Sequence, residues 1–193
     1  MKRVLVASGN PIKLEEIRQL IPDLETLPVE LIEIQSPDPG VVVRHKLDQV
    51  AALGLAAPII VEDTGLALAA WRGLPGALVK WFVDELGAQA FAEAARAGGT
   101  TTSAEAISAV GVTHGGDQRV WVGRLKGNIV DSRGDLGGWT SIFEVAGTRK
   151  TLAEMTLEER MSWTMRREPL ESARTWLTGR GQDVFREASS AEG

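Results

Sequence analysis

The chain has 193 residues, of which 44% are hydrophobic and 24% are charged, and its formal net charge is −5. This composition is that of an ordinary globular protein with a sizeable core. The absence of cysteine excludes disulfide frameworks, thiolate metal sites and cysteine nucleophiles. The acidic balance argues against a nucleic-acid partner. No apolar stretch reaches the length of a membrane span, so we expect no membrane partner and a soluble, cytoplasmic protein.

The first twenty residues predict a strand, a tight turn and a helix. The apolar run 4–7 is typical of a buried strand, and Asn10 and Pro11 are suited to cap and begin the helix that follows. In such a turn the amides of the helix end point outward and bind phosphate. Gly9 allows a close approach of the ligand, and Lys13 adds a positive charge. A capped turn with a solvated lysine is the alternative, and such turns are common in proteins.

The next segments predict one strand and one helix. Alternation over residues 29–34 places Val29, Leu31 and Glu33 on one face of a strand, and Glu33 is a candidate metal ligand. Val43, Leu47, Val50 and Gly54 recur at helical spacing, which predicts a second helix that carries Lys46.

Two adjacent acids follow the most apolar run of the chain. Residues 58–61 read as a central strand covered on both faces, and Glu62 and Asp63 stand at its predicted end. Ligands of open α/β sheets bind beyond the carboxyl ends of the strands. Magnesium bound to substrate phosphates would offset the charge, with one acid serving the site and the other making structural bonds. A plain exit from strand to loop is the alternative.

The second half predicts further helices and strands. We expect helices ending near Leu86 and over residues 88–97, then strands over 104–113 and 119–130 joined by a hairpin. Trp139 lies in the glycine-rich loop 134–139 and is the tryptophan expected to touch a ligand. A capping box at Thr156 opens a last helix, which Pro169 should stop or kink. Residues 1–180 would form one domain and 181–193 a flexible tail.

Taken together and in this order, these segments resemble the inosine triphosphate pyrophosphatase family, which acts on non-standard purine nucleotides. The resemblance covers residues 2–166 and rests on 8–16 (SGNPIKLEE), 61–66 (VEDTGL), 73–77 (GLPGA), 80–82 (KWF), 138–139 (GW) and 153–155 (AEM). It implies an elongated α/β fold with a mixed sheet, surrounding helices and a cleft between two lobes, usually as a homodimer. It also implies hydrolysis of a nucleoside triphosphate to monophosphate and pyrophosphate, dependent on Mg²⁺ or alternatively Mn²⁺.

The resemblance also assigns roles to individual residues. Asp63 matches the general base and a metal ligand, and Glu33 falls where the family has its metal-binding glutamate. The positions that match substrate contacts are Ser8, Asn10, Lys13, Lys46 and Thr64.

The part that would read the nucleobase departs from the family pattern. The family usually has Phe-Gly-Trp-Asp-Pro where this chain has GGWTS at 137–141, and a lysine followed by Ser-His-Arg where it has Arg160 and TMR at 164–166. The stacking ring is therefore replaced by Gly137 and the base-reading aspartate by Thr140. Losing a stacked ring removes about 1–3 kcal/mol per base. We expect Trp139, Arg160 and Arg166 to contact the substrate and the base preference to be altered. For the two arginines, a solvated position on the last helix is the simpler interpretation.

Three functions remain open on the sequence. The first is a magnesium-dependent nucleoside triphosphate pyrophosphatase. The second is a nucleotide-binding homologue without turnover, which would act as a sensor or a partner subunit. The third is a hydrolase of another phosphorylated metabolite, which would release orthophosphate instead of pyrophosphate.

Overall fold

The structure, a computed structural model, describes residues 3–99 and 101–190, with side chains as far as residue 179. The predicted α/β class is confirmed. The strands are β1 Val4–Val6, β2 Leu24–Thr26, β3 Ile59–Leu68, β4 Pro75–Gly76, β5 Ser103–His114, β6 Asp117–Ile129 and β7 Phe143–Val145. The α-helices are α1 Pro11–Leu20, α2 Pro39–Ala51, α3 Val79–Leu86, α4 Ala88–Ala97, α5 Leu157–Trp163 and α6 Arg167–Ser190. None of the described helices is both long and apolar enough to cross a membrane.

The seven strands found in residues 3–99 and 101–190 belong to one mixed sheet. Its order is β2-β1-β3-β5-β6-β7, with β4 paired to β3 alone. β1 runs parallel to β2 and β3, whereas the remaining pairs are antiparallel. The predicted hairpin joins β5 and β6 through Gly115 and Gly116, whose φ angles of 60° and 85° suit the tight turn of a two-residue loop.

Helices cover both faces of the sheet. α1 and α6 pack Ile17 and Leu170 against Ile60 on one face, and α2 packs Leu47 against Val61 on the other. Neighbouring residues of β3 therefore enter different apolar clusters, which explains the continuous apolar run. A third cluster, built around Phe91 of α4, covers the far end of β3 and β5.

The strand predicted over residues 29–34 is wrong, although its alternation is real. Residues 27–36 form neither a strand nor a helix, and the nearby strand is β2 instead. The N–H of Leu27 still donates to the Val6 carbonyl, and the N–H of Val29 turns back to the Leu27 carbonyl. The side-chain amide of Gln49 accepts from the N–H of Ile32 and donates to its carbonyl, both at 2.8 Å. This side chain of α2 takes the hydrogen bonds that a neighbouring strand would take. The predicted face survives, because Val29, Leu31 and Glu33 all line one cavity.

Two boundaries also differ from prediction. Glu62 and Asp63 lie in the middle of β3, because β5 pairs with β3 through Leu68. The acids therefore stand beyond the carboxyl end of β1, which stops at Val6. Pro169 does not break a helix, since it lies in the first turn of α6, where no helical N–H bond is needed. The end of the predicted tail, 191–193, lies outside the described residues, and the domain boundary at 180 stays a prediction.

Candidate active site

A cavity of about 430 Å³ opens beside the middle of β3. Its walls are the turn between β1 and α1, the extended segment 29–33, α2, β3, the start of α3 and a 3₁₀ helix at Gly138–Ile142. Every site residue predicted from the sequence lines this cavity except Arg160: they are Ser8, Gly9, Asn10, Lys13, Glu33, Lys46, Asp63, Thr64, Trp139 and Arg166. The tertiary fold therefore brings together residues that lie up to 158 positions apart, from Ser8 to Arg166.

The first wall is the capped turn predicted from the sequence. The Asn10 side chain accepts from the backbone N–H groups of Ile12 (3.0 Å) and Lys13 (3.4 Å), so it is the N-cap of α1. A Cβ added to Gly9 would meet no atom within 4 Å, so the turn faces open space. The structural and the ligand-binding readings of this turn are therefore compatible.

Lys46 joins the two carboxylates that were predicted to hold a metal. Its Nζ lies 2.5 Å from Glu33 Oε1 and 3.1 Å from Asp63 Oδ1, and its side chain is 7% exposed. Burial lowers the pKa of Lys46, but Asp63 and Glu33 outweigh burial and raise it above its usual value. Burial raises the pKa of Glu33, but the hydrogen bond and the charge of Lys46 outweigh burial and bring this pKa below its usual value. The pair therefore favours the charged form of both Lys46 and Glu33.

Asp63 has the properties expected of a general base. Burial raises the pKa of this carboxyl, and the opposing effects of Lys13 and Lys46 do not cancel the rise. Its Oδ2 atom is buried without a hydrogen-bond partner in the described part of the chain. A carboxylate whose pKa lies nearer to neutral, with one uncommitted oxygen, is suited to accept a proton from a reacting group.

Glu62 points to the other face of the strand, as its alternation with Asp63 predicted. Its Oε2 lies 2.7 Å from Lys13 Nζ, and its Oε1 accepts from Ser108 Oγ (2.8 Å) and Arg166 Nε (3.0 Å). Burial would raise the pKa of Glu62, but Lys13 and Arg166 lower it to about 2. Glu62 therefore remains ionised and holds Lys13 at the edge of the cavity.

A chain of alternating charges continues behind the cavity. Arg166 Nη1 lies 3.0 Å from Glu16 Oε2, and Arg160 Nε lies 2.7 Å from Glu16 Oε1. Arg160 also reaches Glu15, with 2.8 Å between Nη2 and Oε2. The predicted substrate contact Arg160 is thus 4% exposed, does not line the cavity and is saturated by two carboxylates.

The end of the cavity that was predicted to hold the nucleobase offers few polar side chains. Gly137 and Gly138 have positive φ angles of 91° and 59°, and a Cβ added to either would meet no atom within 4 Å. The Thr140 hydroxyl donates to the Gly137 carbonyl at 2.5 Å, so its proton is committed within the loop. Trp139 packs edge-on against Phe143, with 5.9 Å between ring centroids, and is 8% exposed.

Sequence reasoning missed four residues of this arrangement. Glu16 and Ser108 bind Arg166 and Glu62 from distant segments, so no local pattern could reveal them. Lys80 and Asp84 of α3 line the cavity as an ion pair with 2.8 Å between Nζ and Oδ2. The KWF stretch at 80–82 was a signal for Lys80, since it contributed to the family resemblance.

Comparisons with known proteins agree with this fold. The Ham1 family profile matches residues 4–176. An inosine triphosphate pyrophosphatase of Aspergillus oryzae is 34% identical, with 94% of this chain and 96% of that protein covered. Its counterpart in Schizosaccharomyces pombe is 35% identical, with 86% and 90% covered.

Solved structures give the same result. A HAM1 protein from Coxiella burnetii superposes with a TM-score of 0.74 and 26% identity over 93% of this chain and all of that one. A nucleoside-triphosphatase, dITP/XTP pyrophosphatase, from Mycobacterium abscessus superposes with a TM-score of 0.67 and 26% identity over 88% and 97% of the two chains. The resemblance inferred from the motifs is thereby confirmed, and this chain belongs to the Ham1 family.

Proposed function

We propose that this protein is a nucleoside triphosphate pyrophosphatase in which Asp63 is the general base. The observation that carries the proposal is the environment of Asp63, a largely buried carboxylate with a raised pKa and an unpartnered oxygen. It shares one cavity with Lys13, Lys46 and the capped end of α1, which are the groups that bind phosphates. The names of the curated relatives support the same reaction.

The reaction would proceed by attack of water on the α-phosphorus. The water oxygen forms a new bond to this phosphorus while Asp63 takes the water proton. The bond from the α-phosphorus to the bridging oxygen breaks, and pyrophosphate leaves with the electron pair. Ser8, Thr64 and the amides of the turn at Gly9 and Asn10 would orient the phosphates, and Lys13 and Lys46 would neutralise their charge.

The residues present fit a divalent metal ion. No group of three or more acid or histidine ligands occurs among the described residues. Magnesium, however, is typically held by one or two carboxylates together with water and substrate phosphates. Glu33 and Asp63 supply two carboxylates that already share one cation, the ammonium of Lys46. When bound, Mg²⁺ or Mn²⁺ would neutralise the phosphates and stabilise the departing pyrophosphate.

We also propose that base preference differs from that of the family's usual substrates. Gly137 leaves space where the family has a stacking ring, and the Thr140 hydroxyl donates its proton to the Gly137 carbonyl within the loop. Trp139 and Arg166 remain as the contacts at this end. Arg160 is committed to two carboxylates behind the cavity, so we assign it a supporting role.

Two further proposals rest on the resemblance and the composition rather than on the site. The protein would act as a homodimer, and it would work in the cytoplasm on a small-molecule substrate, without a nucleic-acid or membrane partner. Size-exclusion chromatography with light scattering tests the first of these directly.

A substrate panel tests the function. The purified protein, with Mg²⁺ or Mn²⁺, is offered ITP, XTP, dITP and the common nucleoside triphosphates, and both pyrophosphate and orthophosphate are measured. We expect pyrophosphate and a monophosphate in equal amounts, and a fall of about 10²–10⁴-fold in Asp63→Asn. The matched control is Asp131→Asn, since Asp131 pairs with Arg96 on the surface and does not line the cavity. It should keep full activity.

Each other result points elsewhere. Failure of every nucleotide to yield pyrophosphate would overturn the proposal. Tight nucleotide binding in calorimetry without turnover would indicate the sensor or partner subunit, and release of orthophosphate alone would indicate a hydrolase of another phosphorylated compound.

A further inference from the structure

The charged side chains that line the cavity balance one another. Four are cationic, namely Lys13, Lys46, Lys80 and Arg166, and four are anionic, namely Glu33, Glu62, Asp63 and Asp84. Each cation is already paired with a carboxylate of the same cavity. A nucleoside triphosphate would therefore meet an electroneutral site, in which every positive group must leave a carboxylate before it can turn fully to a phosphate.

Lys46 is the cation whose position matters most for this exchange. It alone among these four bridges the two carboxylates assigned to the metal, Glu33 and Asp63. Lys13 is held by Glu62, which faces the other side of β3, and Lys80 is held by Asp84 of its own helix. An ammonium group and a divalent cation that share the same two carboxylates repel each other, so the two compete for that position.

The exchange is feasible for this side chain. Lys46 is carried by a regular turn of α2, so its backbone is fixed, whereas its four-carbon stem rotates. Glu33 lies in a segment outside the sheet and the helices, and its side chain is 57% exposed, so one partner of Lys46 is already open to solvent. Moving the ammonium from the carboxylates to a phosphate keeps it paired with an anion throughout.

We infer that Lys46 occupies the cation position between Glu33 and Asp63 in the nucleotide-free protein and yields it when the nucleotide arrives. The ammonium then transfers to the phosphates, and the metal enters together with the nucleotide rather than before it. Lys46 is thus both a phosphate-binding group and the residue that keeps the empty site closed to free metal ions. This inference rests on the proposed function, since it takes Glu33 and Asp63 as the metal ligands.

The test measures Mn²⁺ binding without any nucleotide, by electron paramagnetic resonance of the free ion and by calorimetry. We expect weak binding to the wild type and at least about tenfold tighter binding to Lys46→Met, because the competing charge is gone. Lys46→Gln should show the same gain, and it serves if the methionine variant does not fold. Lys46→Arg keeps the charge and should show no gain.

A matched control separates local competition from a general change of charge. Lys80→Met removes one positive charge from the same cavity; Lys80 acts on Glu33 through its charge, but its ion pair is with Asp84 and it does not bridge the two metal ligands. It should change the Mn²⁺ affinity by less than about threefold. Triphosphate affinity of Lys46→Met, measured in the absence of metal, should fall while its Mn²⁺ affinity rises.

Two outcomes would overturn the inference. One is an unchanged or weaker Mn²⁺ affinity in folded Lys46→Met and Lys46→Gln. The other is an equal gain in Lys80→Met, which would mean that net charge alone controls binding. Pyrophosphate release by the wild type is measured separately, so the inference can fail while the proposed function stands.

Discussion

Replacing Arg166 by methionine would test the buried chain of charges that joins α1, β3 and α6. The Arg166 side chain is 7% exposed, and it donates to Glu62 Oε1 and Glu16 Oε2, each at 3.0 Å. Methionine is similar in length and carries no charge, so the substitution removes two charge-assisted hydrogen bonds without leaving a large void. It also leaves two carboxylates buried with one cationic partner fewer.

The expected loss follows from these contacts. Hydrogen bonds to charged groups contribute about 1.5–3 kcal/mol each, and removing one partner of a buried ion pair costs about 3–5 kcal/mol. In the variant Glu62 still contacts Lys13 and Ser108, and Glu16 still contacts Arg160, so the two losses do not add in full. We expect the free energy of unfolding to fall by about 3–5 kcal/mol. For a chain of this size, that lowers Tm by about 6–20 °C.

Urea unfolding at pH 7, followed by tryptophan fluorescence, measures the effect. The matched control is Arg124→Met, which removes an exposed arginine that lies 3.0 Å from Glu105, with an expected cost below about 1 kcal/mol. Combining Arg166→Met with Glu16→Gln should cost less than the sum of the single changes by about 1–3 kcal/mol, because the double variant buries one uncompensated charge fewer. Equal costs for Arg166→Met and Arg124→Met would refute the reasoning.

Three further predictions concern pH, the extended segment and the packing of a loop. The pKa of Glu62 falls from an ordinary value of 4.5 to about 2 on folding, so its contribution is complete above about pH 4.5 and is lost as pH falls toward 2. The free energy of unfolding measured with urea should lose about 2 kcal/mol from this group between pH 7 and pH 3, and Glu62→Gln should flatten that part of the profile. Gln49→Leu removes both bonds that hold the backbone of Ile32, so amide exchange around residues 30–34 should accelerate while the sheet stays protected; unchanged exchange would contradict this role. A Cβ at Gly76 would collide with a backbone carbonyl of the loop before α2, so Gly76→Ala should fail to fold or lose several kcal/mol of stability in thermal unfolding. The control is Gly54→Ala, which has a similar positive φ of 64° but lies in open space, and it should cost about 1 kcal/mol.

Local elements were predictable because their causes lie within a few residues. Asn10 and Pro11 specify the start of α1 through a cap and a fixed φ angle, and the structure confirms both. The capping box at Thr156 begins α5 in the same way. Gly115 and Gly116 specify the hairpin, since few other residues adopt its positive φ angles.

Elements whose partners lie far away in sequence were harder to predict. Alternation over 29–34 indicated a strand, but a strand also needs a neighbour to pair with, and here Gln49 takes the backbone bonds. In the same way, the polar residues after Val61 indicated a strand end. β5 instead extends β3 to Leu68, and only this pairing places Asp63 within the sheet.

Motifs and periodicity are local properties, and they were enough to predict the fold class, the family and most of the polar and charged residues that line the cavity. The tertiary structure decided what each charged residue does there. It pairs Lys46 with two carboxylates, buries Glu62 against Arg166, and places Arg160 outside the cavity, in an ion pair with Glu16. The physical reason is that the free energy of a charge depends on burial and on partners within a few ångströms, and segments distant along the chain supply both.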